Sequence, residues 1–272
     1  MRVDQVLDKG VGKMNEDALL VGKYRFGVFD GASSLDDYTD EEGRTGGYLA
    51  ASIAKETFEH SDAGVVETAM EANRKIREAM TAKKLDVGRK ETRWCSTAAV
   101  IDIDISNKTF KWAQIADALI LIIKNDGTFR ILIEDDYDHD REVMVLWKQM
   151  ADTQTDDIRS RLHSKIVELR RAANVKYGVL NGDPNAARFL RASSGSLEDI
   201  AHVLLFTDGM IPPKEDPSAP DDLSGLVHWY LEGGLSNVRD RIREIEASDP
   251  NCWKYPRYKK SDDIAAIAIK ID

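Results

Sequence analysis

Acidic residues recur where apolar runs begin or end. Glu16 and Asp17 stand just before "ALLV", inside "DALLVGKYRFGVFD" (17–30), which reads as a β-hairpin turning at Gly22-Lys23 and closing on Asp30. In a hairpin the start of one strand lies beside the end of its partner. Both acidic sites are about equally far from the turn, so they should face each other. Asp208 closes "HVLLFTD", while Asp262 and Asp263 open "IAAIAIKI". Antiparallel pairing of those two runs would bring their carboxylates to one edge as well. Uncompensated carboxylates at a sheet edge repel each other. Hard divalent cations such as Mg²⁺ or Mn²⁺ remove that cost, because they prefer carboxylate and water oxygens. Gly31 and Gly209 follow Asp30 and Asp208 and would let a carbonyl or a bound water approach. Each feature alone has a plainer reading: Asp-Gly as a turn, Glu16-Asp17 as a solvated strand start, Asp262-Asp263 as a surface pair.

The elements that must position these acids follow from periodicity. After the hairpin, 44–60 and 65–80 carry apolar residues at helical spacing. Four β-prone runs follow between 96 and 135, punctuated by Asn107-Lys108 and Asn125-Asp126-Gly127, and predict an antiparallel meander. Residues 141–151, 156–172 and 235–246 read as helices, 201–210 and 262–271 as strands. With no repeat and no linker, the pattern favours a single domain over 1–272, two antiparallel sheets flanked by helix pairs.

Composition narrows the function. A net charge of −10 argues against nucleic-acid binding, which needs a basic face. No apolar run is long enough to span a membrane, and "MRVDQVLDKG" lacks a signal-peptide core. Cys95 and Cys252, the only cysteines, build neither a disulfide framework nor a zinc motif, which points to a reducing cytoplasm. Nothing in the sequence sets an oligomeric state.

The order "MNEDALL", "FGVFDGASS", "CSTAAVIDI", "IADALILIIKNDG", "LLFTDGM", "SDDIAAIAI" resembles the PPM family, the metal-dependent serine/threonine protein phosphatases of type 2C, in a compact bacterial style. The resemblance spans nearly the whole chain, with 136–200 the least recognisable part. It implies an α+β fold, a four-layer α-β-β-α sandwich, with two divalent ions, Mg²⁺ or Mn²⁺, at one end of the sheets. Asp30 matches the aspartate bridging both ions, and the Gly31 carbonyl would bind one of them. Glu16 matches the acid on the second ion, and Asp208 and Asp262 match those on the first, with Asp263 a competitor for Asp262. Asp17 would orient a bound water from outside, and Asp117 sits where relatives hold a third, weaker ion. The implied reaction is hydrolysis of phosphoserine or phosphothreonine in proteins by a hydroxide bridging the two ions. A catalytically weak relative that binds a phosphoprotein as a regulatory scaffold is the competing reading.

Three departures from the family pattern stand out. Many relatives carry a phosphate-gripping arginine four residues before the metal-binding Glu; here that position is Gly12, and Lys13 is the nearest cation. Lysine attracts phosphate as a point charge but lacks the two-pronged fork. Arg257, Lys259 and Lys260 offer other cations, in a run that also reads as a solvated turn. Ala32 replaces a histidine seen in some relatives. "ADAL" and Pro212 replace the usual surroundings of a third ion. Elsewhere, "EDDYDHDRE" (134–142) spaces Asp136, Asp138 and Asp140 like a calcium loop, but Arg141 and Trp147 fill the positions that need Gly and Glu. "GRTGGYLA" (43–50) begins a helix, 179–191 reads as a turn into a helix, and the five histidines show no ligand spacing. The proline-rich 210–225 is either a flap over the site or an exposed loop.

Overall fold

The structure is a computed structural model that describes residues 1–36, 38–133 and 138–271. Its elements in chain order are β1 (Arg2–Asp8), β2 (Ala18–Val21), β3 (Arg25–Phe29), β4 (Gly31–Ala32), α1 (Gly46–Glu59), α2 (Val65–Ala82), β5 (Cys95–Ser96) and β6 (Ala98–Asp104). They continue with β7 (Thr109–Ile115), β8 (Leu119–Lys124), β9 (Phe129–Ile131), α3 (Arg141–Asp152), α4 (Ile158–Arg161) and α5 (His163–Arg171). Last come β10 (Arg191–Ser196), β11 (Ile200–Phe206), α6 (Leu223–Ser248) and β12 (Ile264–Lys270).

Two antiparallel sheets form, in strand orders β1-β12-β11-β8-β9 and β10-β7-β6-β3-β2, with a small β4-β5 ladder beside them. The near-continuous apolar runs of β11 and β12 arise because both faces of the first sheet are covered. Along β12, Ala265, Ile267 and Ile269 face the second sheet, and Ile264, Ala266 and Ala268 face α6. The outer face of the second sheet packs on α1 and α2 through residues such as Ala50, Ala54, Ala72 and Ile76. The result is the expected four-layer α-β-β-α sandwich. Its second helix pair is the two halves of α6, divided at Gly233 and Gly234, where the backbone leaves helical geometry.

Several expectations are corrected. The meander across 96–135 splits: β6 pairs with β7 in one sheet and β8 with β9 in the other. Ala116, at a left-handed φ of +61°, turns the chain between the sheets and leaves Asp117 at their shared end. The segment 179–191 makes only a short 3₁₀ turn, Pro184–Arg188, before the unforeseen edge strand β10. The end of 210–225 is already helical, since Asp222 caps α6 by accepting from the Gly225 amide at 2.8 Å. Strand β1 was also unforeseen.

The helices α3–α5 pack with the 249–263 segment into their own cluster around Trp147, Ile158, Leu162 and Ile166, with Cys252, Trp253 and Tyr258 from the other side. The Trp147 indole donates to the Cys252 carbonyl at 2.9 Å, fixing that contact. This cluster stands at the same end of the sandwich as the acidic strand ends.

Candidate active site at the acidic end of the sheets

The hairpin register pairs Ala18 with Phe29, so Asp17 and Asp30 extend the two strands side by side. In the other sheet Phe206 pairs with Ala266, which brings Asp208 beside the residues that lead into β12. Glu16, Asp30, Gly31, Asp117, Asp208 and Asp262 then line one cavity of about 410 Å³. Every acidic strand end named from the sequence except Asp17 and Asp263 opens onto it.

The close packing of chain segments explains the glycines. A Cβ on Gly31 would stand 2.3 Å from the Gly47 carbonyl oxygen and 2.6 Å from that of Glu16. One on Gly209 would stand 1.9 Å from the Asp263 carbonyl oxygen. Both glycines therefore let backbone press on backbone at the corners that aim Asp30 and Asp208. At the start of α1, Gly47 lies as close to the Asp30-Gly31 corner, since its Cβ would stand 2.8 Å from the Gly31 carbonyl oxygen.

Residues that sequence reasoning missed hold the acids. Ser33 and Thr45 hydroxyls both donate to Glu16 Oε1. The small residues of "DGASS" thus keep Ser33 close to the carboxylate. Thr45 also caps α1, accepting from the Tyr48 amide at 3.3 Å. Asp17 is almost sealed, 7% exposed, and its Oδ2 accepts from the Thr207 hydroxyl at 2.7 Å.

The neighbours Asp262 and Asp263 divide the work. Asp263 accepts the Gly10 amide at 2.8 Å on Oδ1 and the Glu16 amide at 2.9 Å on Oδ2. Both of its oxygens are engaged in tying the segment before β2 to β12. Asp262 faces the cavity and its Oδ1 meets the Lys259 ammonium at 2.6 Å.

The electrostatics carry the mark of crowded like charge. Burial, then the Asp117 and Asp262 carboxylates, pushes Asp30 up to about 8 against the opposing pull of Lys259. Burial and then Asp30 hold both Asp208 and Asp17 well above the usual carboxylate range. Asp117 is raised by burial, with His139 working against the rise. Its Oδ1 is buried without a hydrogen-bond partner. For Lys259, burial disfavours the charged form, but Asp262 and Asp30 outweigh it and push the ammonium up. An orphaned carboxylate oxygen among repelling carboxylates suits hard, oxygen-seeking divalent cations. Among the described residues no three His, Cys, Asp or Glu side chains stand placed to hold a metal ion together.

The remaining candidates also have places. Lys13 is exposed and lines a neighbouring cleft with Glu16, Lys259 and Asp263. Arg257 is committed to Asp249 at 2.9 Å, and Lys260 is exposed. The segment 211–222 borders a cleft shared with Asp117, Asp208 and Asp262, to which it contributes Pro212, Pro213 and Lys214. Lys214 fastens it to Asp221 at 2.9 Å and Asp138 at 3.3 Å. Of the calcium-loop triad, Asp138 pairs with Arg141 and Lys214, Asp140 lies beside His139, and Asp136 lies outside the described residues.

An α-β-β-α sandwich with acids converging on one end of its sheets has the architecture of the PPM phosphatases. A family profile, Protein phosphatase 2C, matches residues 9–231. The chain belongs to the protein phosphatase 2C family and is a phosphoprotein phosphatase. The match ends before Asp262, which lines the cavity with the other acids. Among solved structures, the catalytic domain of the serine/threonine protein phosphatase PstP in complex with two manganese ions is 14% identical, with a TM-score of 0.58 over 100% of this chain and 98% of that one. The PPM Ser-Thr phosphatase MsPP from Mycobacterium smegmatis, in complex with cacodylate, is 15% identical, with a TM-score of 0.58 over 100% and 99%. Stp1 from Staphylococcus aureus is 14% identical, with a TM-score of 0.59 over 99% and 94%. At such identities the likeness concerns the fold. Among curated proteins, none matches the sequence significantly. No helix among the described residues is long and apolar enough to cross a membrane.

Proposed function

We propose that residues 1–272 form one catalytic domain that hydrolyses phosphoserine and phosphothreonine in proteins, using divalent cations held by Glu16, Asp30, the Gly31 carbonyl, Asp208 and Asp262. The observation that carries this reading is the convergence of those groups on one cavity, with the Asp117 oxygen orphaned among them. Two Mg²⁺ or Mn²⁺ ions bound there would acidify a water into a nucleophile near neutral pH and neutralise phosphoryl oxygens. Asp30, at the end of β3 with Asp117, Asp262 and Glu16 near enough to act on its charge, would be suited to contact both ions. Ser33 and Thr45 fix Glu16, and Thr207 fixes Asp17, so the donors keep their orientation. Asp17, tied by one oxygen, is suited to act from the outer shell. Asp117 would hold a third, weaker ion.

Asp263 supports the site from behind, with both oxygens on backbone amides. Lys13, at the rim, would draw the phosphate in as a point charge. The segment 211–222 is suited to be a flap, since it borders the cleft leading to Asp208. Both cysteines are free and buried, in keeping with a reducing cytoplasm.

Hydrolysis of para-nitrophenyl phosphate and of a phosphothreonine peptide tests the reading. Turnover should require Mn²⁺ or Mg²⁺, stop with EDTA, and vanish in Asp30→Asn and Asp208→Asn. Wild-type protein that binds Mn²⁺ but turns over neither compound would return the scaffold reading to favour.

A further inference from the structure

We propose that Arg170, seconded by the Tyr258 hydroxyl, grips the substrate phosphate and so supplies the two-pronged contact missing at Gly12. The inference rests on the phosphatase reading above and names the phosphate subsite within that cavity.

Arg170 comes from the last turn of α5 and lines the cavity together with Glu16, Asp30, Asp208 and Asp262. Its Nη1 donates at 2.9 Å to the Cys95 sulfur, a weak acceptor. Among the described residues no carboxylate pairs with it. The other well-covered arginines behave differently. Arg25 pairs with Asp102, Arg93 with Asp183, Arg243 with Asp8 and Glu246, and Arg257 with Asp249. Asp140 and Asp117 are near enough for charge to act between them and Arg170, but the guanidinium's one hydrogen bond is to a sulfur, so it has donors to spare and its fork matches the oxygens of a phosphate.

Tyr258 provides a second, independent sign. Its hydroxyl is buried with no hydrogen-bond partner, although the residue lines the same cavity. Buried tyrosine hydroxyls usually find a partner. Arg170 and Tyr258 line the same cavity, and Arg170 is near enough for its charge to act on Tyr258. An anion there would satisfy both.

The other cations of the wall are already occupied. Lys259 is held by Asp262 at 2.6 Å, and Arg159 Nη1 donates to the Tyr258 carbonyl at 3.2 Å. Lys13 lies in a different cleft, on the far side of Glu16. A phosphate dianion entering a cavity with carboxylates on one wall needs a positive group facing them even when cations are bound. Of the two guanidinium groups lining it, Arg159 is exposed, and Arg170 is the half-buried one that no carboxylate or carbonyl engages.

The test follows orthophosphate as well as turnover. Steady-state kinetics on the phosphothreonine peptide at saturating Mn²⁺, with orthophosphate as inhibitor, would be measured for wild type, Arg170→Ala, Arg170→Lys, Tyr258→Phe and Lys13→Ala. Arg170→Ala should raise KM and the orthophosphate Ki by about 10- to 100-fold, as loss of a charged hydrogen-bonding pair implies. Arg170→Lys should recover only part of this, and Tyr258→Phe should cost about 2- to 10-fold. Lys13→Ala should cost less than Arg170→Ala. Mn²⁺ affinity by calorimetry and the melting temperature of Arg170→Lys should stay near wild type. Unchanged KM and Ki in folded Arg170 variants would overturn the assignment. So would a Ki that stays at the wild-type value while stability and Mn²⁺ affinity collapse, since that marks a purely structural arginine. If the wild type proves inactive, the phosphatase reading fails separately. Calorimetric binding of orthophosphate to the Mn²⁺-loaded protein, with and without Arg170→Ala, then still decides the phosphate site.

Discussion

The two walls of the cavity are built on different principles. One wall consists of strand ends: Glu16 and Asp30 from the β2-β3 hairpin, Asp208 after β11 and Asp262 before β12. These positions are set by ladder register, so the backbone fixes them within the two sheets. The other wall is made by α5 and the 252–259 stretch, whose position depends on side-chain packing around Trp147, Ile166 and Tyr258. The first wall is acidic and suited to cations; the second carries Arg170, Tyr258 and Lys259. The hydrogen-bonded ladders thus stand where like charges must be forced together.

Substitutions should separate the two walls. The largest effect is expected on the acidic side, where Asp30→Asn or Asp208→Asn should lower kcat/KM by about 10²- to 10³-fold or more while leaving the fold intact. Comparable losses from substitutions confined to α3 would break the comparison. Next, Ser33→Ala and Thr45→Val release Glu16 and should weaken Mn²⁺ binding by about 10- to 100-fold, measurable by calorimetry.

Asp263 should behave as structure rather than chemistry. Asp263→Ala strands the Gly10 and Glu16 amides and should cost about 2–4 kcal/mol in urea unfolding, against little for Asp262→Ala. The reverse order would exchange the roles of the two aspartates.

A smaller effect concerns pH. Asp30 is raised above its unfolded value of about 3.9 to about 8. Between those values the native state binds more protons than the unfolded one. Metal-free stability from this group is therefore full below about pH 4 and is lost as pH rises through about 8. Asp208 and Asp17 shift in the same direction, which widens the window. Asp30→Asn should flatten this slope and stabilise the metal-free protein by about 1–3 kcal/mol at pH 9. Stabilisation by added Mn²⁺ should grow with pH in the wild type, because cations bind the deprotonated carboxylates. Thermal melts in EDTA and in Mn²⁺ across pH 5–9 would check both signs.

The same contrast explains what the sequence made legible. The hairpin, β11 and β12 are apolar runs ended by an acid, so local pattern alone located Glu16, Asp30, Asp208 and the 262–263 pair. Periodicity located α1 and α2 as well. Strand β1 escaped because it is an edge strand with only Val6 buried, while Val3 and Leu7 remain exposed. Strand β10, "RASSGS", lacks β-prone residues and owes its extended form to pairing with β7. The meander was misjudged because short spacing between runs looks the same whether a turn stays in one sheet or, as at Ala116, crosses to the next. Asp262 and Asp263 are identical in type, and only their tertiary partners distinguish them. Ser33, Thr45 and Arg170 gain meaning from contacts across 17, 29 and 75 residues of chain, which no local window contains.

Calorimetric titration of Mn²⁺ into the metal-free protein and into Asp30→Asn tests the central claim most directly. Saturable binding of two ions per chain in the wild type, lost or reduced to weak residual binding in the variant, is the predicted result. Equal binding by both proteins, or none by the wild type, would contradict the assignment of the acidic strand ends to a metal centre.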